Sequence, residues 1–235
     1  TRYTDFLEEN NLRSMLTYGI NREKIVAENF DGYAHPVTLP ADPASPYYSK
    51  SLAARYAYDS EKFLDFLSRY GKTEEPIRLL VNSDDSVRLR IARSIAETFT
   101  EFGLPFEVVE CTTTKFRQMI NVGNYDLYLG MTKLSANMDL TAFFSSSGAL
   151  SYGGINDVSL YALCMESLVN HGNYFTLHQR VAEDGRLVPI LFRSYAVYAT
   201  RGLVTNLTPA RDCIFFYTLG RTEKDAMIPL DYGKG

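Results

Sequence analysis

The chain has 235 residues, 46% hydrophobic and 22% charged, which is ordinary globular composition and ample for a packed core. Lys and Arg number 24 against 28 Asp and Glu, a net charge of −4, so the basic excess that nucleic acid demands is missing and no nucleic-acid partner is expected. Three dispersed cysteines and three dispersed histidines exclude a zinc-type spacing, a disulfide framework and a His-rich metal site, and no apolar run reaches the roughly 18 residues that a membrane-spanning helix needs.

Leu12, Met15, Leu16 and Ile20, then Ile25, Val26 and Phe30, recur at spacings of three and four. That pattern predicts a helix over residues 11–29, broken near Gly19–Asn21, with Asn21 capping the second piece. Pro36, Pro40, Pro43 and Pro46 exclude helix interior and central strand from the next stretch, which reads as an extended surface loop stapled by Tyr47 and Tyr48. Asp59 caps a helix bearing Phe63, Leu64, Phe66, Leu67 and Tyr70 that ends at Gly71.

From Pro76 the period changes. Ile77–Val81 reads as a strand, Asn82–Asp85 as a polar turn, and Val87, Ile91, Ile95 and Phe99 as the buried face of a helix stopping at Gly103. A second strand at Phe106–Cys111, a short helix capped within Thr112–Thr114 and a third strand at Asp126–Leu129 follow. Strand, helix, strand, helix, strand at these spacings predicts an α/β fold, a mixed but mostly parallel sheet flanked by helices, with right-handed crossovers. The last third is less regular: an apolar Leu140–Phe144, a small-residue loop through Ser145–Gly148 and Gly153-Gly154, and a helix capped by Asp157. A further helix capped by Asn173 leads through Asp184-Gly185 to strands at Leu187–Phe192 and Tyr195–Ala199.

Catalytic signatures are missing. Ser145–Ser147 has no Gly-x-Ser-x-Gly elbow around it, and no Walker-type or Gly-x-Gly-x-x-Gly loop follows a strand. The Asn82–Asp85 turn carries two carboxylates that would repel phosphate, and reads as a helix cap. Cys164 lies on an apolar helix face, Cys111 and Cys213 read as core or near-core, and His178 as a hydrogen-bonded core histidine; His35 and His171 read as solvated loop residues. No enzyme, no cofactor and no metal is expected. A binding reading starts from the segment between Gly130 and Asn156, directly after the third strand, because ligands of open α/β sheets gather beyond the carboxyl ends of the strands. Lys133, Asn137, Asp139 and Tyr152 are the candidate ligand-binding residues there, with Phe192 and Tyr195 as further candidates; a long surface loop with an ordinary glycine turn is the other reading.

The order of several segments carries a resemblance. Arg13 followed by Leu16-Thr17-Tyr18-Gly19-Ile20-Asn21-Arg22-Glu23-Lys24-Ile25-Val26, the proline-rich loop and Tyr58-Asp59-Ser60-Glu61-Lys62 stand first. The strand Ile77–Val81, Phe102-Gly103-Leu104, Gly123-Asn124-Tyr125-Asp126-Leu127 and Val188-Pro189-Ile190-Leu191-Phe192 follow. Together, over about residues 10 to 200, they resemble the distal lobe of family 5 ABC-transporter solute-binding proteins, the oligopeptide, dipeptide and nickel binders. Where peptide-binding members carry Gly-Trp and then an Asp for the ligand's amino terminus, this chain reads Gly130-Met131-Thr132-Lys133-Leu134, and Asp139 comes later.

The resemblance implies a periplasmic-binding-protein-like (type II) lobe occupying residues 1–235. Residues 1–10 and 200–235 would lie toward a hinge, and Leu203, Val204, Ile214, Phe215 and Phe216 toward a missing N-terminal lobe of the same chain. The implied function is extracytoplasmic capture of a small solute such as an oligopeptide between two lobes, followed by docking on an ABC permease in the membrane. A lipoprotein anchor is implied for the full-length form. The opening Thr1-Arg2-Tyr3-Thr4 and the polar tail read accordingly as the ends of a processed or excised piece. Two alternatives stay open: an interaction lobe that has lost solute binding, and a stand-alone α/β hydrolase using Ser146 or Cys111.

Overall fold

Ile77, Leu79, Leu80 and Val81 are all at most 5% exposed, the near-continuous burial of a strand covered on both faces. They belong to β2 (Ile77–Asn82), the middle strand of a three-stranded sheet in a computed structural model that describes residues 7, 12–70, 73, 75–152, 155–194, 204–205 and 220–221. β3 (Phe106–Cys111) and β4 (Leu127–Leu129) flank it, both parallel, with Leu79 facing Val108 on one side and Leu127 on the other. The sheet order β3-β2-β4 is the parallel arrangement that the alternating pattern predicts.

Each helix start has a physical cause. Asn21 accepts from Lys24 N at 3.0 Å and opens α2 (Arg22–Asn29), just past α1 (Leu12–Gly19). Asp59 accepts from Lys62 N at 2.9 Å ahead of α4 (Ser60–Tyr70). Asp85 accepts from Arg88 N at 3.0 Å ahead of α5 (Ser86–Glu101), Thr112 opens α6 (Thr113–Asn121), and Asp157 accepts from Leu160 N at 2.9 Å ahead of α8 (Val158–Val169). The proline-rich stretch is less of a surface loop than expected, since Val37, Leu39 and Ala41 in it are buried. Beyond it α3 (Lys50–Arg55), only six residues long and too short for a period to show, is capped by Ser49 accepting from Leu52 N. One more correction concerns α9 (Tyr174–Asp184). Asn173 makes no capping bond and is itself helical, closing a 3₁₀ turn, His171–Asn173, whose start is held by the Asn170 side chain accepting from Gly172 N.

Residues 1–192 and 193–235 form two compact units. In the first, the main core lies on one sheet face: Ile77, Leu79 and Val81 pack with Leu12 and Leu16 of α1, Phe63 of α4, and Ile91, Ile95 and Phe99 of α5. Phe99 stacks on Phe106 at 4.8 Å between centroids and meets Phe63 edge-on at 5.2 Å. The opposite face carries Leu80 against Phe116 and Ile120 of α6. A further core is built from Leu140, α7 (Thr141–Phe144), α8 and α9, with Cys164 buried in it as expected. β5 (Leu191–Arg193) is shorter than the predicted strand and pairs with β1 (Ala34–Pro36), in a two-stranded sheet of its own. In the second unit β6 (Val204–Thr205) and β7 (Gly220–Arg221) form an antiparallel pair. The predicted strand at 195–199, the apolar cluster of residues 203–216 and Cys213 lie outside the described residues or side chains.

Gly185 is the point where α9 meets α1. Its φ of +70° is left-handed, and a Cβ there would stand 2.6 Å from both the N and the Cα of Ser14. Backbone atoms cannot yield as a flexible side chain does, so Gly185→Ala is expected to cost about 3 kcal/mol, combining overpacking with the left-handed penalty. A urea titration in which the variant's midpoint matched that of the parent would show that the two helices do not meet as described.

Candidate functional site

The parallel strands all end on one side of the sheet, and the side chains gathered there are polar. At the end of β2, Asn82 donates from Nδ2 to Thr113 Oγ1 at 2.9 Å, and Asp84 Oδ2 accepts from Thr113 N at 2.8 Å and from Thr113 Oγ1 at 2.7 Å. Those two bonds hold the Asp84 carboxyl below its usual range, so it is ionised and sits on the amino end of α6. The Asn82–Asp85 turn is therefore a double cap, Asp84 for α6 and Asp85 for α5, as its sequence suggested, and a phosphate seat is excluded.

Beyond β4 the chain runs from Gly130 into a turn. Met131 is largely exposed, Lys133 and Asn137 are exposed, and Asp139 is half-buried. Ser135 links the last two: its Oγ donates to Asn137 Oδ1 at 2.6 Å and accepts from Asp139 N at 3.2 Å. Asp139 Oδ1 in turn accepts from Thr141 N at 2.8 Å, opening α7. Asn137 and Asp139 are thus brought into one turn. The Asn137 main-chain carbonyl accepts from the Tyr174 hydroxyl of α9, a contact that sequence periodicity had no means of revealing.

Tyr152 belongs to a different group. It meets Tyr128 edge-on at 6.0 Å, and Tyr125 meets the same ring at 5.2 Å, on the α6 face of the sheet. Burial, with the other two tyrosines beside it, pushes the Tyr128 hydroxyl up to about 12, and the three rings form a half-buried aromatic wall. Gly130 lies against it: a Cβ there would come within 2.9 Å of the Tyr128 ring. Phe192 is half-buried on β5, and Tyr195 lies outside the described residues.

No described feature supports chemistry at the two described cysteines, Cys111 and Cys164. Burial raises the Cys111 thiol and pushes Cys164 up to about 12. No group of three or more His, Cys, Asp or Glu that could hold a metal ion occurs among the described residues. An open depression of about 370 Å³ is lined by Ala96, Glu97, Thr100 and Glu101 of α5 and by Phe106 and Val108 of β3, toward the amino end of that strand and so away from the turn just described. His178 is a correction: it is fully buried, as expected, but neither ring nitrogen has a hydrogen-bond partner among the described residues.

A parallel sheet with helices on both faces and its polar loops beyond the strand carboxyl ends defines an α/β lobe of the periplasmic-binding-protein type. Solved structures share it. The ABC transporter substrate-binding protein CtaP of Listeria monocytogenes matches with a TM-score of 0.70 at 16% identity, over 82% of this chain and 42% of its own. The oligopeptide-binding protein AppA of Bacillus subtilis, solved with a nonapeptide, matches at 0.69 and 20% identity, over 82% and 43%. NikA of Staphylococcus aureus, solved with Ni(L-His)2, matches at 0.68 and 15% identity, over 86% and 45%. The chain thus spans less than half the length of these structures. No curated protein matches it in sequence. Residues 3–151 match the model of bacterial extracellular solute-binding proteins, family 5 (middle region), and the chain belongs to that family. No described helix is long and apolar enough to cross a membrane.

Proposed function

We propose that this chain supplies one lobe of an extracytoplasmic solute-binding protein of an ABC importer, and that it captures an oligopeptide against a second lobe lying outside the chain. The observation that carries this reading is the 130–139 segment beyond β4, where Lys133, Asn137 and Asp139 stand on a polar turn at the carboxyl end of a parallel sheet. The Tyr128–Tyr152 pair is the aromatic wall that Gly130 lies against, and Phe192 and Tyr195 are further candidate ligand residues. Family membership supports solute capture, and the peptide-bound fold relative is in line with an oligopeptide. Main-chain hydrogen bonds to an extended ligand would supply most of the affinity, and closure of two lobes would sequester it. A membrane permease is the partner of the closed form, and a lipid anchor holds the full-length protein at the cell surface.

The test is native mass spectrometry of the intact parent protein incubated with a random pentapeptide library. A ladder of added peptide masses is the expected result. Lys133→Ala and Asn137→Ala together are expected to reduce that retention at least fivefold, at a stability cost of about 1 kcal/mol, since Asn137 also gives up its bond to Ser135 Oγ. Undiminished retention would remove the turn from the site. A parent that stays bare with peptide, sugar and metal mixtures would instead favour an interaction lobe.

A further inference from the structure

Two residues other than glycine have positive φ among the described residues, Asp31 at 46° and Met138 at 53°. Asp31 is unremarkable in chemistry, since aspartate tolerates the left-handed region and Gly32 follows it in the same turn. Methionine has no such tolerance, so a left-handed Met138 is strained backbone that its surroundings must hold in place. What holds it is visible on both sides. Met138 N donates to Ser135 O at 2.9 Å, closing the turn from within. From outside, the peptide group joining Asn137 to Met138 is held by its carbonyl, which accepts the Tyr174 hydroxyl.

Tyr174 is itself immobilised. It is 2% exposed in the core of α7, α8 and α9, and its ring stacks on Tyr47 at 4.2 Å with the planes 17° apart. Tyr47 comes from the proline-rich loop, and its hydroxyl lies 3.4 Å from His171 Nδ1. Burial pushes the Tyr174 hydroxyl up to about 12, so it keeps its proton for donation. A rigid ring anchored in the core therefore reaches one peptide group of a half-exposed turn, whose Leu134 and Met138 side chains rest against the same core.

We propose that Tyr174 is a positioning residue, clamping the Asn137–Met138 peptide so that the turn presents Asn137 and Asp139 to the ligand in a pre-set geometry. The ligand half of this rests on the function proposed above; the clamp itself does not. A turn held in its bound form before the ligand arrives loses less freedom on binding, and the gain is read chiefly in slower dissociation.

The test is Tyr174→Phe in the intact parent protein, which removes the hydroxyl and keeps the stack on Tyr47. Amide hydrogen exchange is expected to quicken at least tenfold at Met138 and Asp139, while amides of β2 exchange as before. With the random pentapeptide library as probe, dissociation of retained peptides is expected to quicken about fivefold. Unchanged exchange at residues 138–139 would overturn the clamp. So would an equal rise throughout α8 and α9, because the hydroxyl would then serve the core alone. Faster exchange with unchanged peptide dissociation would overturn the positioning role. A parent that retains no peptide at all would defeat the function reading, while the exchange result would still decide the clamp by itself.

Discussion

Arg22→Met is expected to lower the free energy of unfolding by about 3 kcal/mol. Arg22 is 2% exposed and meets no carboxylate within salt-bridge distance among the described residues. Its guanidinium instead donates to Thr17 O and Thr17 Oγ1 at 2.8 Å each, to Ile20 O at 3.3 Å and to Pro189 O at 2.8 Å. The two carbonyls near the end of α1 are among those the helix cannot satisfy itself, and a cation there also meets the negative end of the helix dipole. Burial lowers the guanidinium to about 10, still far enough above neutral pH to keep the charge. Methionine fills much of the volume but leaves the four acceptors without that donor. Lysine restores the charge but not the planar fork that reaches α1 and Pro189 together, so Arg22→Lys should recover less than half the loss. Urea titrations of the three proteins measure this; a methionine variant within 1 kcal/mol of the parent would show that water replaces the guanidinium at little cost.

His178 predicts the second effect, and its sign follows from burial. The ring is fully buried with both nitrogens unpartnered among the described residues, and desolvation lowers it to about 4 from an ordinary value near 6.5. Because the folded value is the lower, the unfolded chain takes up a proton first as the pH falls. The stability associated with a neutral His178 is present in full above about pH 6.5. It is lost at up to about 1.4 kcal/mol per pH unit down to about pH 4, roughly 3 kcal/mol in all, and levels off below that. His178→Leu is expected to flatten this acid limb and, by removing two unsatisfied buried nitrogens, to raise stability at pH 7 by about 1 kcal/mol. Denaturation midpoints from pH 7.5 to 4 for both proteins decide it. Parallel pH profiles would show that other groups carry the acid sensitivity.

The two residues show where sequence reasoning stops. His178 stands on a stripe with Tyr174, Leu177 and Val181, and that spacing alone placed it in the core. Whether its nitrogens find partners depends on which other elements close over α9, and spacing on one helix carries no information about that. Arg22 reads in sequence as one of three solvated charges at a helix start, Arg22-Glu23-Lys24, yet it is buried while its two neighbours are exposed. Its burial depends on Pro189, 167 positions away. The candidate site divides in the same manner. Its location beyond the third parallel strand was legible, because a strand-helix-strand-helix-strand pattern dictates where the carboxyl ends point. The grouping was not: Asn137 and Asp139 share a turn through Ser135, whereas Tyr152 packs with Tyr125 and Tyr128 in a separate cluster.

By itself, then, the amino-acid sequence determined what local chemistry determines. Side-chain oxygens at Asn21, Asp59, Asp85, Thr112 and Asp157 start helices because backbone amides two or three positions onward need acceptors. Gly185 ends one because only glycine enters the left-handed region without cost. Short apolar runs marked the strands and apolar periods near four the long helices, and their alternation defined an α/β fold. The tertiary structure alone decided which distant groups meet: Tyr174 with the Asn137 carbonyl, Arg22 with Pro189, α9 with Ser14 at Gly185, and β5 with β1. Such contacts join residues tens to hundreds of positions apart. They are selected by how the whole set of buried surfaces packs, a condition that no local window of sequence contains.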